Sequence, residues 1–436
     1  MTEPLKGSLN FRLSLMMFLQ YAIWGAWLPM LWSFLKDHRG FAPDEIGWIF
    51  SVGAIGAIIG PFVAGHLADR HVSTEKFLGI SHLLGAALVW QLAVVSSFQA
   101  FLWMSLVYGL VYAPTLSLTN SLSFHHVPDR DRDFGRVRVW GTVGWIAAGI
   151  AIGQWLLYQY KLPDGTEEKL AAAALNAGRA DAFRLSAILG GLLGLYCFTL
   201  PKTPPSKTAK QANTVVETLS EVRRQPLITL FLLAVPVSCI HQFYFVHTGS
   251  FLSQLQASSA KADDFARAIQ SVFGVGGGGL MTVGQMSEIL VLGLIPLLAK
   301  KVSRKSLLLV GLLAYAGRMA LFAHCTSMVP ILLGVALHGL AFGCFIFVAF
   351  MVVDEETTSD VRASAQSLFN LVIIGIGTIV GSLIAGHVNA WATEDGVVNY
   401  TKLFSVPLWA SLACFLVLFL FYPNRSRARA GAEHSR

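Results

Sequence analysis

Twelve apolar runs follow one another along the 436-residue chain, and each approaches or exceeds the ~20 residues that cross a lipid bilayer. Hydrophobic residues make up 54% of the chain and charged residues 13%, about half of the ~25% typical of soluble domains. A soluble fold is therefore excluded, and an all-α polytopic membrane protein is predicted. The runs cover residues 11–35, 44–68, 77–97, 100–124, 139–159, 182–200, 227–255, 270–299, 305–324, 328–353, 363–388 and 402–422.

The positions of the basic residues predict that both termini lie in the cytoplasm. With an internal N-terminus, 22 of the 32 Lys and Arg residues fall in the tails and the even-numbered loops, and 9 fall in the opposite loops. Basic residues collect in the cytoplasmic loops of membrane proteins, so the net charge of +7 reflects topology and not a nucleic-acid partner. We expect a monomer in the bacterial inner membrane, with the lipid bilayer around it.

The polar breaks divide the twelve helices into two predicted six-helix bundles, residues 1–200 and 226–423. Residues 201–225 are rich in proline and polar residues and predict a cytoplasmic linker, and residues 424–436 form a basic cytoplasmic tail. Tight basic turns recur six helices apart, after the second run and after the eighth. Two parallel halves with a ligand site between them are typical of secondary transporters. The first basic turn, from Gly65 to Asp69 and Arg70, resembles the loop signature of the major facilitator superfamily.

No motif of a soluble enzyme occurs in the sequence, and no span carries paired carboxylates or a metal-ligand set. The five cysteines lie in or beside apolar runs without C-x-x-C spacing. We therefore expect neither catalysis, nor a metal, nor a cofactor. A membrane sensor would need a sizeable cytoplasmic signalling segment, and the longest such segment is the linker at 201–225.

Glu288 is the carboxylate that lies well inside a run. An ionised group at that depth costs at least ~2.5–3.5 kcal/mol, and such groups mark ion or substrate paths. Gln285 lies three residues earlier and therefore on the same helical face. Two interpretations stay open: Glu288 carries a proton, or it forms a structural ion pair with Arg318 of the ninth run. Only the first predicts an altered pH dependence after mutation.

Other polar and aromatic residues within the runs complete a candidate binding site. Amides, one carboxylate, one arginine and aromatic rings suit a neutral, planar, polyhydroxylated ligand. A phosphorylated substrate is disfavoured, because phosphate recognition needs a cationic cluster. His338 and Phe342 are one turn apart and are expected to share a face. The members are Gln20 on the first run, Arg138, Thr142 and Trp145 on the fifth, His241 and Gln242 on the seventh, Gln285 and Glu288 on the eighth, and Phe342 on the tenth.

In five stretches the chain resembles the nucleoside:proton symporter family of the major facilitator superfamily. The stretches are spread over both halves, so the resemblance covers nearly the whole chain. They are Phe18-Leu-Gln20-Tyr-Ala-Ile-Trp24-Gly25-Ala-Trp27, Tyr112-Ala-Pro114-Thr115-Leu-Ser-Leu-Thr-Asn120-Ser, Arg138-Val-Trp140-Gly141-Thr142-Val-Gly144-Trp145, Gln285-Met-Ser287-Glu288 and Arg362-Ala-Ser-Ala-Gln366.

The resemblance implies a nucleoside site lined by Arg138, Thr142, Trp145, Gln242, Gln285, Glu288 and Phe342, and coupling to protons. The family pattern has an Asp directly after the position of Phe342, where this chain has Gly343. In the family, an amide residue can stand three positions after the glutamine of the seventh helix, which is Gln242 here. This chain has Phe245 at that position. We therefore expect proton coupling at Glu288 and His241. A sugar or other polyol carrier, or a uniporter, stays open as an alternative.

Overall fold

The computed structural model describes residues 5–68, 72–160, 162, 167–204, 214–259, 264–358 and 361–424. The predicted loop signature at Asp69 and Arg70 and the basic tail from residue 425 onward lie outside the described residues. Residues 205–213 of the predicted linker also lie outside them.

Helices form nearly all of the described chain, as the apolar runs predict. In chain order they are α1 (Gly7–Trp27), α2 (Leu31–Ser33), α3 (Pro43–Ala68), α4 (Thr74–Leu92), α5 (Phe98–His126), α6 (Arg130–Gln159), α7 (Glu168–Gly178), α8 (Ala180–Cys197), α9 (Thr214–Val222), α10 (Leu227–Ser259), α11 (Asp264–Phe273), α12 (Gly278–Lys301), α13 (Arg304–His324), α14 (Met328–Ala341), α15 (Val348–Glu355), α16 (Arg362–Asn370), α17 (Gly377–Ala392) and α18 (Tyr400–Phe421). A short 3₁₀ turn covers Leu28–Met30, and π-helical segments cover Phe34–His38, Phe342–Phe347 and Leu371–Ile376. A two-residue hairpin pairs β1 (Thr393–Glu394) with β2 (Val397–Val398) in antiparallel register.

Ten helical stretches of the described chain are long and apolar enough to cross a membrane. Many of their large apolar side chains point outward: Leu232 of α10 is 70% exposed and Leu290 of α12 is 69% exposed. A soluble protein buries such side chains, whereas lipid tails solvate them. The protein is therefore a multi-pass helical membrane protein.

One predicted span begins later in the structure than in the sequence analysis. The run at 270–299 is divided into α11 and α12 by a turn at residues 274–277. Gly274, Gly276 and Gly277 have φ angles of 71°, 85° and 82°, a conformation that residues with a side chain rarely adopt. Apolar periodicity does not detect this break, because valine and phenylalanine flank the glycines.

The chain folds as two compact units. Unit 1 comprises Met1–Ala209, Tyr244–Thr282 and Ser382–Ala390, and unit 2 comprises Lys210–Phe243, Val283–Gly381 and Trp391–Arg436. In unit 1 the main packing pairs are α1 with α6, α3 with α5, and α4 with α8. In unit 2 they are α13 with α18 and α13 with α14. The candidate residues are distributed over both units.

Candidate functional site

In unit 1, small residues bring α1 against α6. A side chain at Gly25 would lie 2.7 Å from the Cα atom of Trp145, and one at Gly144 would overlap the carbonyl of Phe18. Ala22, Ala26 and Ala148 form the buried core beside this contact. Close backbone approach through small residues is the usual way in which membrane helices pack. This contact places Trp145 of α6 beside the aromatic residues of α1.

Gln20 links α1 to α5. Its side chain is fully buried, and Nε2 donates to Oγ1 of Thr115 over 2.8 Å. The hydroxyl of Tyr112 donates to the carbonyl of Gln20 over 2.6 Å. Within the part of the chain that the structure describes, Oε1 of Gln20 is buried and has no hydrogen-bond partner. Gln20 is thus held at one end of its amide and keeps an open acceptor at the other.

An aromatic cluster surrounds Trp145. Its ring meets Trp24 edge-on at a centroid distance of 6.1 Å and meets Phe245 edge-on at 6.4 Å. Trp24 also packs against Tyr112 at 5.8 Å. Trp145 is 8% exposed, and among the described residues its indole Nε1 has no hydrogen-bond partner. A buried indole normally donates a hydrogen bond, so this N–H is available to a ligand.

Arg138, Thr142 and Trp145 lie on one face of α6. Arg138 lies four residues before Thr142, and Thr142 lies three residues before Trp145, which are the spacings of neighbours on a helical face. The guanidinium of Arg138 stacks over the ring of Tyr21, with Cζ 4.2 Å from the ring centroid. Thr142 is half-buried. The stacking orients a planar cationic group along this face of unit 1.

In unit 2, Glu288 lies against a histidine that the candidate set did not include. Oε2 of Glu288 is 3.4 Å from Nε2 of His338 on α14. The His338 side chain is 2% exposed, and that of Glu288 is 19% exposed. Glu288 is therefore the accessible member of an otherwise buried pair.

Arg318 of α13 approaches the other ring nitrogen of His338. Its Nη1 lies 3.2 Å from Nδ1, and Arg318 is fully buried. Because a guanidinium can only donate, Nδ1 must accept, and a neutral His338 then carries its hydrogen on Nε2. That hydrogen faces Glu288. His338 thus contacts both Glu288 and Arg318, the two residues for which the sequence suggests an ion pair.

His241 and Phe342 complete this buried group. The hydroxyl of Tyr315 lies 2.7 Å from Nδ1 of His241, and the rings of His241 and His338 stack at 5.5 Å. Phe342 stacks on His338 at 6.3 Å and lies 6.2 Å from the ring of His241. The prediction that His338 and Phe342 share a face is confirmed.

A close contact between α12 and α14 positions the Glu288–His338 pair. The backbone N–H of Gly339 donates to Oγ of Ser287 over 2.9 Å, and that hydroxyl donates to the carbonyl of Ala336. A side chain at Gly339 would overlap the backbone of Ser287. Ser287 and Gly339 directly adjoin Glu288 and His338 in sequence, so this contact sets the distance between the pair.

The two predicted amides of unit 2 are both largely buried. Gln285 is 6% exposed, and Oε1 has no hydrogen-bond partner among the described residues. Gln242 is 9% exposed and packs against Gly381 of α17, where an added Cβ would lie 2.9 Å from the Cβ of Gln242. Gln285 thus adds an open acceptor near Glu288 along α12.

The structure distributes the predicted residues over the two units. Gln20, Arg138, Thr142 and Trp145 lie in unit 1, and His241, Gln242, Gln285, Glu288 and Phe342 lie in unit 2. The candidate set omits His338 and Tyr315 and treats Phe245 only as a departure from the family. A signal for His338 existed in the sequence, because His338 lies one turn from Phe342 and because Arg318 lies deep inside its apolar run.

Comparison with known proteins identifies the family of the chain. The chain is 33% identical to the transporter YegT of Escherichia coli strain K12, over 95% of this chain and 94% of that protein. It is 29% identical to the xanthosine permease of the same strain, over 95% and 96%. The crystal structure of the nucleoside transporter NupG matches with a TM-score of 0.80 and 25% identity, over 95% of this chain and 99% of that one. The family model described as Nucleoside H+ symporter matches residues 7–427. The chain belongs to the nucleoside:proton symporter family.

Proposed function

We propose that this nucleoside transporter takes up its substrate with protons by alternating access, and that Glu288 carries the proton. The contact between Glu288 and His338, with Arg318 on the far side of the imidazole, is the observation that carries the proposal. Nucleoside import itself agrees with membership of the family, and the proposal concerns the residues that perform it.

The charges of this group favour Glu288 over His338 as the proton site. A protonated His338 would place a second positive charge against the buried guanidinium of Arg318. An ionised Glu288 instead balances Arg318 through the neutral imidazole. The side chains of Tyr315 and His241 adjoin the group and lie within hydrogen-bond distance of each other. Each proton that Glu288 gains or loses therefore changes the charge of the group by one. The electrostatic energy of this packed group thus depends on whether Glu288 is protonated.

Nucleoside recognition follows from the open polar atoms and the aromatic rings. We propose that the base stacks on Trp145 and that the indole N–H donates to it. Arg138, Thr142, Gln242 and Phe342 are proposed as further ligand contacts, as the family resemblance implies. Gln20 and Gln285 each keep a carbonyl oxygen that can accept from a hydroxyl or an amine. Protonation of Glu288 from outside would favour binding, and deprotonation inside would release both the nucleoside and the proton.

The energy of one proton is sufficient for accumulation. A membrane potential of ~100 mV supplies ~2.3 kcal/mol per charge. One pH unit adds about 1.4 kcal/mol. Because each 1.4 kcal/mol corresponds to a tenfold ratio, the sum sustains a nucleoside gradient of several hundred-fold.

Twelve spans are proposed as the membrane topology, with both termini in the cytoplasm. The long helices α3 and α4, with 26 and 19 residues, would supply two spans beyond the ten that are long and apolar enough by themselves. The excess of basic residues in the tails and even-numbered loops supports this orientation. The six-helix bundles at 1–200 and 226–423 follow from this count.

Uptake by purified protein in liposomes tests the proposal. Wild-type protein should accumulate labelled uridine when the lumen is alkaline, and an ionophore should abolish accumulation. Glu288→Gln should keep uridine exchange but lose the response to the pH gradient. Glu394→Gln, which removes an exposed carboxylate paired with Lys402, is the matched control and should behave as wild type. Accumulation by Glu288→Gln that still follows the pH gradient would refute the assigned role.

A further inference from the structure

A cavity lies in unit 1, away from the residues considered above. It is a cleft of about 420 Å³ at the end of the π-helical segment Phe34–His38. Its lining includes His38 and Arg39, which end the first helical stretch, Ala93 and Val94 after α4, Tyr160 after α6, and Arg184 of α8. Four segments of unit 1 thus converge on a cleft that contains two arginines.

Arg39 is held in place by neighbouring groups and not by a carboxylate. Its Nη2 donates to the carbonyl of Ala93 over 2.6 Å, and its Cζ stacks 4.9 Å over the ring of Phe34. Within the described ranges Nε of Arg39 is buried without a hydrogen-bond partner. The guanidinium is therefore fixed in orientation before any ligand arrives.

The acidic residues nearby are already engaged with other arginines. Asp37 pairs with the buried Arg179 at 3.3 Å, and Asp181 pairs with Arg184 at 2.5 Å. Asp181 also accepts from the hydroxyl of Tyr160 over 2.7 Å. No carboxylate of the described chain pairs with Arg39. Arg39 consequently gives the cleft an excess of positive charge.

The two arginines of the cleft are close enough to influence each other. Burial lowers the pKa of the Arg39 guanidinium, and the positive charge of Arg184 lowers it further. The Arg39 guanidinium stays charged at neutral pH, because arginine is effectively always protonated. Arg184 is 44% exposed and keeps N–H donors beyond the one that meets Asp181.

We infer that this cleft binds a phosphate group. Two guanidiniums that face one cavity match the several acceptor oxygens of a tetrahedral anion, and charge-assisted bonds of this kind are the strong ones. The cleft lies at the end of the stretch Gly7–His38, which is long and apolar enough to cross a membrane, and headgroup phosphates are found at the ends of such spans. The phosphate can therefore belong to a lipid headgroup or be free in solution, and the chemistry of recognition is the same. The inference does not depend on the role proposed for Glu288.

Thermal unfolding of the full-length protein in neutral detergent tests the inference. One series adds inorganic phosphate, with sodium chloride at equal ionic strength as reference. A second series adds phosphatidylglycerol, with monogalactosyldiacylglycerol as the phosphate-free lipid. We expect a rise in Tm with phosphate or with phosphatidylglycerol and not with the references.

Variants then assign the effect to the cleft. Arg39→Gln should raise the half-saturating concentration of the phosphate or phosphatidylglycerol that shifts Tm about tenfold. This corresponds to about 1.4 kcal/mol of binding free energy. We expect the same rise for Arg184→Gln, on a different helix. This variant replaces Arg39→Gln in the test if Arg39→Gln does not fold. Arg267→Gln is the matched control, because Arg267 is 53% exposed and pairs with Asp264 outside the cleft.

The three possible outcomes are distinct. A response to inorganic phosphate identifies a soluble ligand, and a response to phosphatidylglycerol alone identifies a headgroup. Absence of both responses, or equal responses in wild type and both cleft variants, overturns the inference.

Discussion

Nε2 of His338 lies 3.4 Å from Oε2 of Glu288, and this histidine receives a hydrogen bond from Arg318 on its other nitrogen. The imidazole of His338 therefore contacts both the carboxylate of Glu288 and the guanidinium of Arg318. Removing any member leaves a buried polar group without its partner, which costs more than the net value of the interaction.

A double-mutant cycle should detect this coupling. Glu288→Gln and His338→Phe should each lower stability, and the double variant should lose less than the sum, with a coupling of about 1–3 kcal/mol. Thermal unfolding in detergent measures all four proteins. The exposed pair Glu394 and Lys402 is the control, and its coupling should stay below about 1 kcal/mol. Additive losses at Glu288 and His338 would show that the two residues act independently.

Gly339→Ala should impair both stability and pH-dependent uptake. The added methyl group would overlap the backbone of Ser287 and force α14 away from α12, which separates His338 from Glu288. Overpacking of this kind costs about 1–3 kcal/mol. Gly293→Ala on α12, where the new Cβ meets nothing within 4 Å, is the matched control. Equal uptake by the two variants would contradict the positioning role of this contact.

Gly343→Asp introduces the carboxylate of the family pattern, and we expect it to destabilise this protein. The new Cβ would lie 2.7 Å from Cγ1 of Val291, a stiff branched side chain on α12. Val291→Ala should relieve the overlap, so the double variant should unfold at a higher temperature than Gly343→Asp alone. A single variant as stable as wild type would show that the helix adjusts without cost.

Two replacements of Trp145 should distinguish how much ring stacking and how much the indole hydrogen bond contribute to uridine binding. Trp145→Phe keeps a ring and loses the indole N–H, so KM for uridine should rise about 2- to 10-fold, as for one hydrogen bond of ~0.5–1.5 kcal/mol. Trp145→Leu loses the ring as well and should raise KM further. Initial uptake rates measure both. Trp103→Leu, at a side chain that is 63% exposed on α5, should leave KM unchanged.

Much of the architecture was predictable because a bilayer restricts the possibilities. Apolar length gives the helices, and costly polar residues such as Glu288 and Gln285 stand out against an apolar background. The shared face of His338 and Phe342 followed from their spacing of one turn.

Features that depend on backbone angles, or on how closely distant segments of the chain pack, could not be predicted from the sequence. The division of the eighth run at Gly274–Gly277 depends on backbone angles, which hydropathy does not encode. The position of His338 relative to Glu288 and Arg318 depends on how closely α12, α13 and α14 pack. Phe245 was noted as a missing amide, and only its contact with the ring of Trp145 shows what it does instead.

The π-helical segment Phe342–Phe347 bears on how this chain should be aligned with its relatives. Such a segment holds one residue more than the same length of regular helix, and each residue turns the helix by about 100°. An alignment of uniform register with a relative whose helix is regular at this place will pair side chains pointing in different directions. Residues after Phe342, Gly343 among them, should therefore be matched to other permeases by superposed backbone and not by column.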